Sequence, residues 1–187
     1  MPAGQGAGRA AAIFDRDGTL TVDEGYTYRL ADLYWQPGAL ESLRLLKEAG
    51  VLALVATNQS GVARGYYSEG DVVRFHEAMR REAQDYGGAI QDFRFCPHHL
   101  QGVLPEYAIN CPHRKPAPGM FLALVHSWHL NPALVQVFGD QPTDVIAAQK
   151  AGLHGEAVQP GQLLPAVEAF LDRLGAFDQR ERIESGI

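Results

Sequence analysis

A chain of 187 residues with 46% hydrophobic and 20% charged side chains has the composition of a soluble globular domain that is large enough to enclose a core. Its formal net charge of −6, without any lysine- or arginine-rich block, excludes a broad nucleic-acid-binding surface. Two cysteines are too few for a disulfide framework, and we expect neither a membrane span nor a signal peptide.

Apolar runs alternate with amphipathic stretches along the chain. Short continuous apolar runs are typical of strands buried on both faces, and they predict strands over 10–14, 51–57 and 134–140, with weaker candidates at 92–96 and 155–159. Apolar residues at helical spacing predict helices over 38–50, 68–88, 118–130, 142–152 and 165–174. We expect one domain over residues 1–187, with 1–9 and about 176–187 disordered or loosely attached.

Strands that alternate with helices predict a Rossmann-like α/β fold, in which a parallel sheet carries helices on both faces. In such sheets, ligands bind beyond the carboxyl ends of the strands. Asp15, Thr57, Cys96 and Asp140 all fall at the ends of predicted strands. The sequence therefore predicts that its polar groups converge at one edge of the sheet.

An acidic pair follows the first predicted strand, where FDRDGTL places Asp15 and Asp17 one residue apart. Carboxylates this close repel unless a cation or a proton separates their roles. One can stay ionised as a nucleophile and metal ligand, while the other carries a proton as a general acid and later acts as a base. With Asp140 on a neighbouring strand, these hard oxygen ligands suit Mg²⁺, which pairs well with a substrate phosphate.

Further residues at the predicted edge can hold a phosphate group. Thr57 and Asn58 can present a hydroxyl and backbone N–H groups, and Lys115 can supply the compensating positive charge. Each feature alone is weak, since DxD pairs, strand-end threonines and solvated lysines are common, but together they favour catalysis. We expect Arg16 to point away from the aspartates, and Asp144 to support the site from behind.

A proline-rich loop, CPHHLQGVLPEYAINCPHRKPAPGM, contains two Cys-x-His pairs, Cys96 with His98 and Cys111 with His113. Two thiolates and two imidazoles form a closed tetrahedral set for structural Zn²⁺, and a loop this long needs an internal fastener. The alternatives are buried free cysteines with exposed histidines, or a disulfide, which a reducing compartment disfavours. Bound zinc would fix the positions of Arg114 and Lys115, which directly follow the second pair.

The motifs DRDGTL, TNQSG, RKPAPGM and GDQPTD resemble, in order, the four signature motifs of haloacid dehalogenase superfamily phosphatases. The stretches VDEGY, TNQSGVARG and CPHHLQG are similar to those of bacterial D-glycero-D-manno-heptose 1,7-bisphosphate 7-phosphatases, which are related to the histidinol-phosphate phosphatases. The resemblance runs from about residue 13 to residue 152. It implies a Mg²⁺-dependent phosphomonoester hydrolase of carbohydrate metabolism, and we expect a cytoplasmic monomer that acts on a phosphorylated sugar.

The resemblance also implies a role for each motif residue. Asp15 would attack phosphorus to form an aspartyl-phosphate, and Asp17 would protonate the departing sugar oxygen and then activate water. Mg²⁺ would be bound by the side chains of Asp15 and Asp140 and by the backbone carbonyl of Asp17, while Thr57 and Lys115 complete the catalytic set. The residues expected to contact substrate are Asp23, Tyr26, Thr57, Asn58, Gln59, Ser60, Arg114, Lys115 and Gln141.

Substrate choice is where the sequence departs from the family pattern. No insertion is long enough for a cap domain, so we expect an open site bounded by loops 23–26 and 57–60 and the Cys/His loop. In the heptose enzymes the arginine corresponding to Arg114 meets the second phosphate and a lysine follows the GD aspartate, but here Gln141 replaces that lysine and Glu24 adds a negative charge. His113 likewise replaces a cysteine of the family's zinc loop. Histidinol phosphate, or a broader range of sugar phosphates, therefore stays an alternative to heptose 1,7-bisphosphate.

Two interpretations of another class can be weighed against an enzyme. A phospho-receiver module also uses aspartates, a threonine, a lysine and Mg²⁺ on a parallel sheet, but its adjacent acids and mid-sheet acceptor differ from the DxD and GDxxxD patterns here. A catalytically inactive metal-binding module is disfavoured because every required side chain is present.

The histidines outside the two Cys-x-His pairs are not expected to bind metal, and ordinary packing is expected for them; they are His76, His99, His126, His129 and His154.

Overall fold

A computed structural model describes residues 8–185 of the chain, and the side chains up to residue 175. Its strands are β1 (Arg9–Phe14), β2 (Leu52–Asn58), β3 (Asp92–Cys96), β4 (Leu130–Gly139) and β5 (His154–Ala157). Its helices are α1 (Ala39–Glu48), α2 (Glu69–Asp85), α3 (Gly119–Trp128), α4 (Pro142–Lys150) and α5 (Leu163–Ser185). The predicted succession of strands and helices is confirmed.

The five strands form one parallel sheet in the order β3-β2-β1-β4-β5. In the central strand, Ile13 is paired with Leu54 of β2 on one side and Val137 of β4 on the other. Strands β2 and β3 lie on one side of the central β1, and strands β4 and β5 lie on the other. The carboxyl ends of β1 and β4 therefore flank the point where the strand order reverses, which is where α/β sheets open a ligand crevice.

Alternate residues of β1 point to opposite faces of the sheet and seed two cores. Phe14 packs with Leu43, Phe75 and other buried side chains of α1, α2 and α5. Ile13 belongs to the second core, with buried side chains of α3 and α4 such as Phe121. The prediction of helices on both faces of a parallel sheet is confirmed.

Boundaries differ from the predictions where tight turns intervene. Helix α3 ends at Trp128 because His129 takes a left-handed conformation with φ of +50°, and β4 begins directly afterwards at Leu130 rather than at 134. The pairing of β4 with β1 shifts register between Arg9 and Ala11. Helix α5 continues past the predicted end at 174, while the expectations for residues 1–7 and for the side chains of 176–187 lie outside the described residues.

The segment between β1 and α1 holds a 3₁₀ turn at Leu30–Asp32 and no other helix, so no cap domain is inserted there. None of the described helices is both long and apolar enough to cross a membrane.

Candidate active site

A cavity of about 300 Å³ opens at the carboxyl edge of the sheet, where the sequence placed its polar residues. Predicted residues that line it are Asp15, Asp17, Asp23, Tyr26, Thr57, Asn58, Ser60, Lys115, Asp140 and Gln141. Tyr67, Thr143 and Asp144 line it as well. Gln59 and Arg114, which were also predicted to contact substrate, lie outside this lining.

The ammonium group of Lys115 is the positive centre of the cavity. Its Nζ lies 2.8 Å from Asp15 Oδ1 and 2.6 Å from Asp144 Oδ1, and it donates to the carbonyl oxygen of Ala56 at 2.8 Å. Two of these contacts are hydrogen bonds, and the contact with Asp144 is an ion pair. Burial acts to lower the pKa of Lys115, but the two carboxylates outweigh burial and raise it. The lysine is therefore held in its charged form, and Asp144 supports the site through a direct ion pair with it.

The backbone of Lys115 is held by Asn58 at the end of β2. Asn58 Oδ1 accepts from the N–H of Lys115, and Asn58 Nδ2 donates to the Lys115 carbonyl oxygen, each at 3.0 Å. The amide thus pairs with the backbone as a neighbouring strand would. Although Asn58 lines the cavity, its side chain is engaged in positioning the lysine.

The carboxylates around Asp15 bring more negative charge than Lys115 alone can neutralise. Burial raises the pKa of Asp15 to about 7, Lys115 acts to lower it, and the carboxylates of Asp144 and Asp17 raise it further. Burial likewise raises the pKa of Asp140. The cluster is therefore short of positive charge.

Three carboxylates at this edge present oxygens within 4.8 Å of one another, from Asp15, Asp140 and Asp144. Among the described residues, the buried Oδ1 of Asp140 has no hydrogen-bond partner, which is rare for a buried oxygen. Gly18, with φ of +81°, leaves room for Asp140, since a Cβ at position 18 would overlap that carboxylate. Clustered hard oxygens with an unused acceptor fit a cation such as Mg²⁺.

Asp17 is held by its neighbour Arg16, contrary to our expectation. Arg16 Nε donates to Asp17 Oδ1 at 2.8 Å, and the terminal guanidinium nitrogen donates to Oδ2 at 2.9 Å. The prediction that Arg16 points away was wrong, because β1 ends at Phe14 and the chain that follows it brings the guanidinium group to the Asp17 carboxylate. Arg16 is fully buried.

Gln59 lies behind Asp17 rather than in the cavity. Its Nε2 donates to Asp17 Oδ2 at 2.8 Å and to Thr57 Oγ1 at 2.9 Å, and its Oε1 accepts from Arg16 at 3.0 Å and from the Tyr67 hydroxyl at 2.7 Å. Gln59 is buried, with 1% of its surface exposed, and its amide links Asp17 to Thr57 beneath the cavity. Tyr67, whose pKa burial raises to about 12, was missed because no pattern in the sequence marks it.

The Cys/His loop brings three of its four predicted zinc ligands together, and His113 lies outside that group of three. Ligand atoms of Cys96, His98 and Cys111 lie within 4.8 Å of one another. The Sγ of Cys96 is 3.6 Å from Nδ1 of His98, and the Sγ of Cys111 is 3.9 Å from Nδ1 of His113. In tetrahedral zinc sites such atoms stand roughly 3.6 Å apart, given bond lengths of about 2.3 and 2.0 Å. Both cysteines are free thiols, so the disulfide alternative has no support.

Arg114, the first cation after the second pair, is half-buried beside this cluster. Its guanidinium donates to the carbonyl oxygen of His98 at 3.1 Å. Burial lowers the pKa of Arg114, and the nearby Arg64 lowers it further. The loop thus places one cation against its own backbone and the next, Lys115, in the cavity.

Comparisons with known proteins follow the same motifs. Residues 112–172 match the sequence model of the HAD-hydrolase-like family. Over 147 residues the chain is 44% identical to the D-glycero-beta-D-manno-heptose-1,7-bisphosphate 7-phosphatase of Rhodopseudomonas palustris, and the alignment covers 79% of this chain and 82% of that relative.

Solved structures share the fold. A HAD-like phosphatase from Mesorhizobium loti superposes with a TM-score of 0.81 at 30% identity, covering 92% of this chain and 91% of that one. The D,D-heptose 1,7-bisphosphate phosphatase of B. bronchiseptica, solved with magnesium and phosphate, superposes with a TM-score of 0.73 at 30% identity and covers 85% and 86%. The likeness therefore extends over most of the chain.

Proposed function

Because the chain belongs to the heptose-1,7-bisphosphate 7-phosphatase family of HAD-like hydrolases, we propose that it removes the 7-phosphate of D-glycero-D-manno-heptose 1,7-bisphosphate. The observation that carries the proposal is the Asp15 carboxylate held 2.8 Å from a buried, charged Lys115 at the strand-order reversal. Phosphoryl transfer depends mainly on positioning and on neutralising oxygen charge, and this arrangement offers both.

In the proposed reaction, a carboxylate oxygen of Asp15 attacks phosphorus, and the bond from phosphorus to the C7 oxygen breaks. Asp17 gives its proton to that departing oxygen. Asp17 then takes a proton from the water that attacks the aspartyl-phosphate, so phosphate leaves and both aspartates return to their starting forms. Lys115 stabilises the negative charge on the transferring oxygens, and the hydroxyl of Thr57 donates a hydrogen bond to them.

We propose that Mg²⁺ is held by the side chains of Asp15 and Asp140 and by the backbone carbonyl of Asp17. The unpartnered Oδ1 of Asp140 and the close spacing of the carboxylates support this ligand set. When bound, Mg²⁺ supplies charge neutralisation for the phosphoryl oxygens. The B. bronchiseptica relative was solved with magnesium and phosphate.

For the Cys/His loop we propose structural Zn²⁺ bound by Cys96, His98, Cys111 and His113. The mutual spacing of Cys96, His98 and Cys111 supports three of these ligands, and we propose His113, whose Nδ1 is 3.9 Å from the Cys111 sulfur, as the fourth. Zinc would fix the loop that carries Arg114 and Lys115.

Substrate selection is proposed to come from the loops around the cavity, which Asp23, Tyr26 and Ser60 line. We propose Arg114, which lies outside the lining and donates to the His98 carbonyl oxygen, as the cation for the second phosphate. Gln141 donates through Nε2 to Asp140 Oδ2 at 2.7 Å, so its amide tethers a proposed metal ligand instead of adding positive charge.

Gln141→Lys is expected to lower KM for the bisphosphate several-fold, and an unchanged KM would show that position 141 is not decisive.

The test is a comparison of kcat/KM for both anomers of heptose 1,7-bisphosphate, histidinol phosphate and a panel of hexose phosphates, with Mg²⁺ and with EDTA. We expect the heptose bisphosphate to exceed the others by on the order of 10²-fold, and turnover to disappear in EDTA. Preference for histidinol phosphate would overturn the substrate. Stoichiometric rather than catalytic phosphate release would indicate a receiver-like module and overturn the enzyme.

A further inference from the structure

Two exposed tyrosines lie side by side, one of them in the lining of the active-site cavity, and neither takes part in the proposed chemistry. Tyr26 is 44% exposed and Tyr66 is 54% exposed. Their rings meet edge to face, with centroids 4.7 Å apart and an interplanar angle of 77°. Paired aromatic rings left half in solvent present apolar area that a ligand can cover.

The tyrosine pair also joins the active-site cavity to a second one. Tyr26 lines both the cavity that contains Asp15 and an adjoining cavity of about 510 Å³, and Tyr66 lines the adjoining cavity only. A molecule whose phosphate lies at Asp15 therefore has room to extend past Tyr26 toward Tyr66.

The backbone fixes Tyr26 in an uncommon conformation. Its φ is +55°, in the left-handed region that bulky residues rarely adopt, and it follows Gly25 at φ +84°. The N–H of Gly25 donates to Asp23 Oδ1 at 2.8 Å, which closes the turn. Backbone strain of this kind persists only where the surrounding structure holds it, and it clusters at ligand sites.

The two segments that carry the exposed pair are anchored by a second tyrosine pair. The rings of Tyr28 and Tyr67 stack with centroids 4.9 Å apart, and the Tyr67 hydroxyl is bonded to Gln59. Because Tyr28 is two residues from Tyr26, and Tyr67 directly follows Tyr66, the stack ties both segments together. The exposed rings are thus preorganised.

Charge around the adjoining cavity favours hydroxyl groups over a phosphate. Its charged lining is Glu24, Asp32 and Arg29, and the cation faces one of the acids, with Arg29 Nε 3.9 Å from Asp32 Oδ2. Carboxylates accept hydrogen bonds from hydroxyls and repel phosphate.

From these observations we propose that Tyr26 and Tyr66 form an aromatic platform for the neutral polyhydroxyl body of a sugar phosphate. The apolar C–H groups of the sugar would pack on the rings while its hydroxyls face the carboxylates. Tyr66 would then be a specificity-determining residue. The inference rests on the proposed function, because it takes the reacting phosphate to lie at Asp15.

The test compares Tyr66→Ala with the wild type on two substrates, heptose 1,7-bisphosphate and acetyl phosphate, which carries no sugar. We expect Tyr66→Ala to raise KM for the heptose bisphosphate roughly tenfold with little change in kcat, and to leave kcat/KM for acetyl phosphate unchanged. Tyr66→Phe should behave as the wild type does. Tyr86→Ala is the matched control, since that half-exposed tyrosine precedes β3, at the opposite edge of the sheet.

Each outcome separates the platform from the proposed function. If Tyr66→Ala matches the wild type on the heptose bisphosphate, or loses as much activity on acetyl phosphate, the platform is overturned while the phosphatase assignment stands. If the wild type hydrolyses acetyl phosphate but prefers no sugar phosphate over it, the proposed function and the platform both fall.

Discussion

Lys115 meets Asp15 and Asp144 with its ammonium group, and it is 3% exposed. Within the described part of the chain, no other lysine or arginine lines this cavity. Removing one partner of a buried ion pair leaves the other charge uncompensated, and this costs far more than removing a charge that is already in excess. Neutralising the cation at this site should therefore destabilise the protein more than neutralising one of its carboxylates.

We predict that Lys115→Met destabilises the protein by about 3–5 kcal/mol at pH 8, whereas Asp15→Asn leaves stability unchanged or raised. Both variants should lose turnover, Asp15→Asn by on the order of 10³-fold or more. Urea unfolding without Mg²⁺ measures the first effect. The loss in Lys115→Met should shrink as the pH falls, because the pKa of Asp15, which burial raises to about 7 with Lys115 present, is higher still without the lysine, and Asp15 then takes up a proton. Equal destabilisation by the two variants would contradict this charge balance.

Gln59 joins Asp17 to Thr57 without reaching the cavity, so we treat it as a positioning residue. Gln59→Leu is expected to lower kcat roughly tenfold to a hundredfold with KM little changed, because a misdirected Asp17 loses part of its acid–base contribution. Tyr67→Phe, which removes one bond to the Gln59 oxygen, should lose less. A rise in KM with unchanged kcat would instead indicate that Gln59 contacts substrate, as the sequence suggested.

At the scale of elements, the features that a sequence pattern can show are those set by neighbouring residues. Ser68 and Asp71 form the capping box that opens α2, with the Asp71 N–H donating to Ser68 Oγ and the Ser68 N–H to Asp71 Oδ2. Such bonds span three residues, so a local pattern shows them. The left-handed His129 that ends α3 was missed because that conformation depends on how β4 enters the sheet.

Some features of the candidate site could likewise be predicted from the sequence, and others could not. Strand ends place Asp15, Thr57 and Asp140 in one cavity, which the alternation of strands and helices was enough to predict. The pairing of Arg16 with Asp17 and the burial of Gln59 depend on how the chain turns after the strands, and spacing in the sequence carries no record of that path.

Helix α2 also buries a histidine against the sheet, and this makes stability depend on pH. His76 stacks on Phe93 with ring centroids 4.4 Å apart. Burial lowers its pKa well below the usual value, and Arg16 and Arg80 lower it further. The folded protein therefore keeps His76 neutral while the unfolded chain protonates it below about pH 6.5. This contribution to stability is full above that pH and is lost as the pH falls.

We predict that the free energy of unfolding drops less between pH 7.5 and pH 5.5 in His76→Gln than in the wild type. The comparison uses urea unfolding at each pH. The control is His126→Gln, at an exposed position, and its free energy of unfolding should drop as much as that of the wild type. An equal drop in all three proteins would show that protonation of His76 does not oppose folding.

At the scale of the whole molecule, the cavity joins strand ends from the sheet to the long loop between β3 and α3. Two tethers bring that loop in: the Cys/His cluster at one point and the Asn58 amide on the backbone of Lys115 at the other. Cys96 and Cys111 sit at the margin of the core that contains α3, whereas the sheet packs without them on its other face. Loss of metal should therefore disturb the loop and spare the sheet.

We predict that removing zinc with a chelator, followed by excess Mg²⁺, lowers kcat roughly tenfold while the far-ultraviolet circular dichroism is retained. In Asn58→Ala the same treatment should lower kcat further, because Lys115 then loses both tethers at once. Returning Zn²⁺ should restore activity, and His99→Gln, beside the cluster but outside it, should respond as the wild type does. Full activity in protein shown to be zinc-free would mean that Asn58 alone positions the lysine, and a collapse of the circular dichroism would mean that the metal supports the sheet.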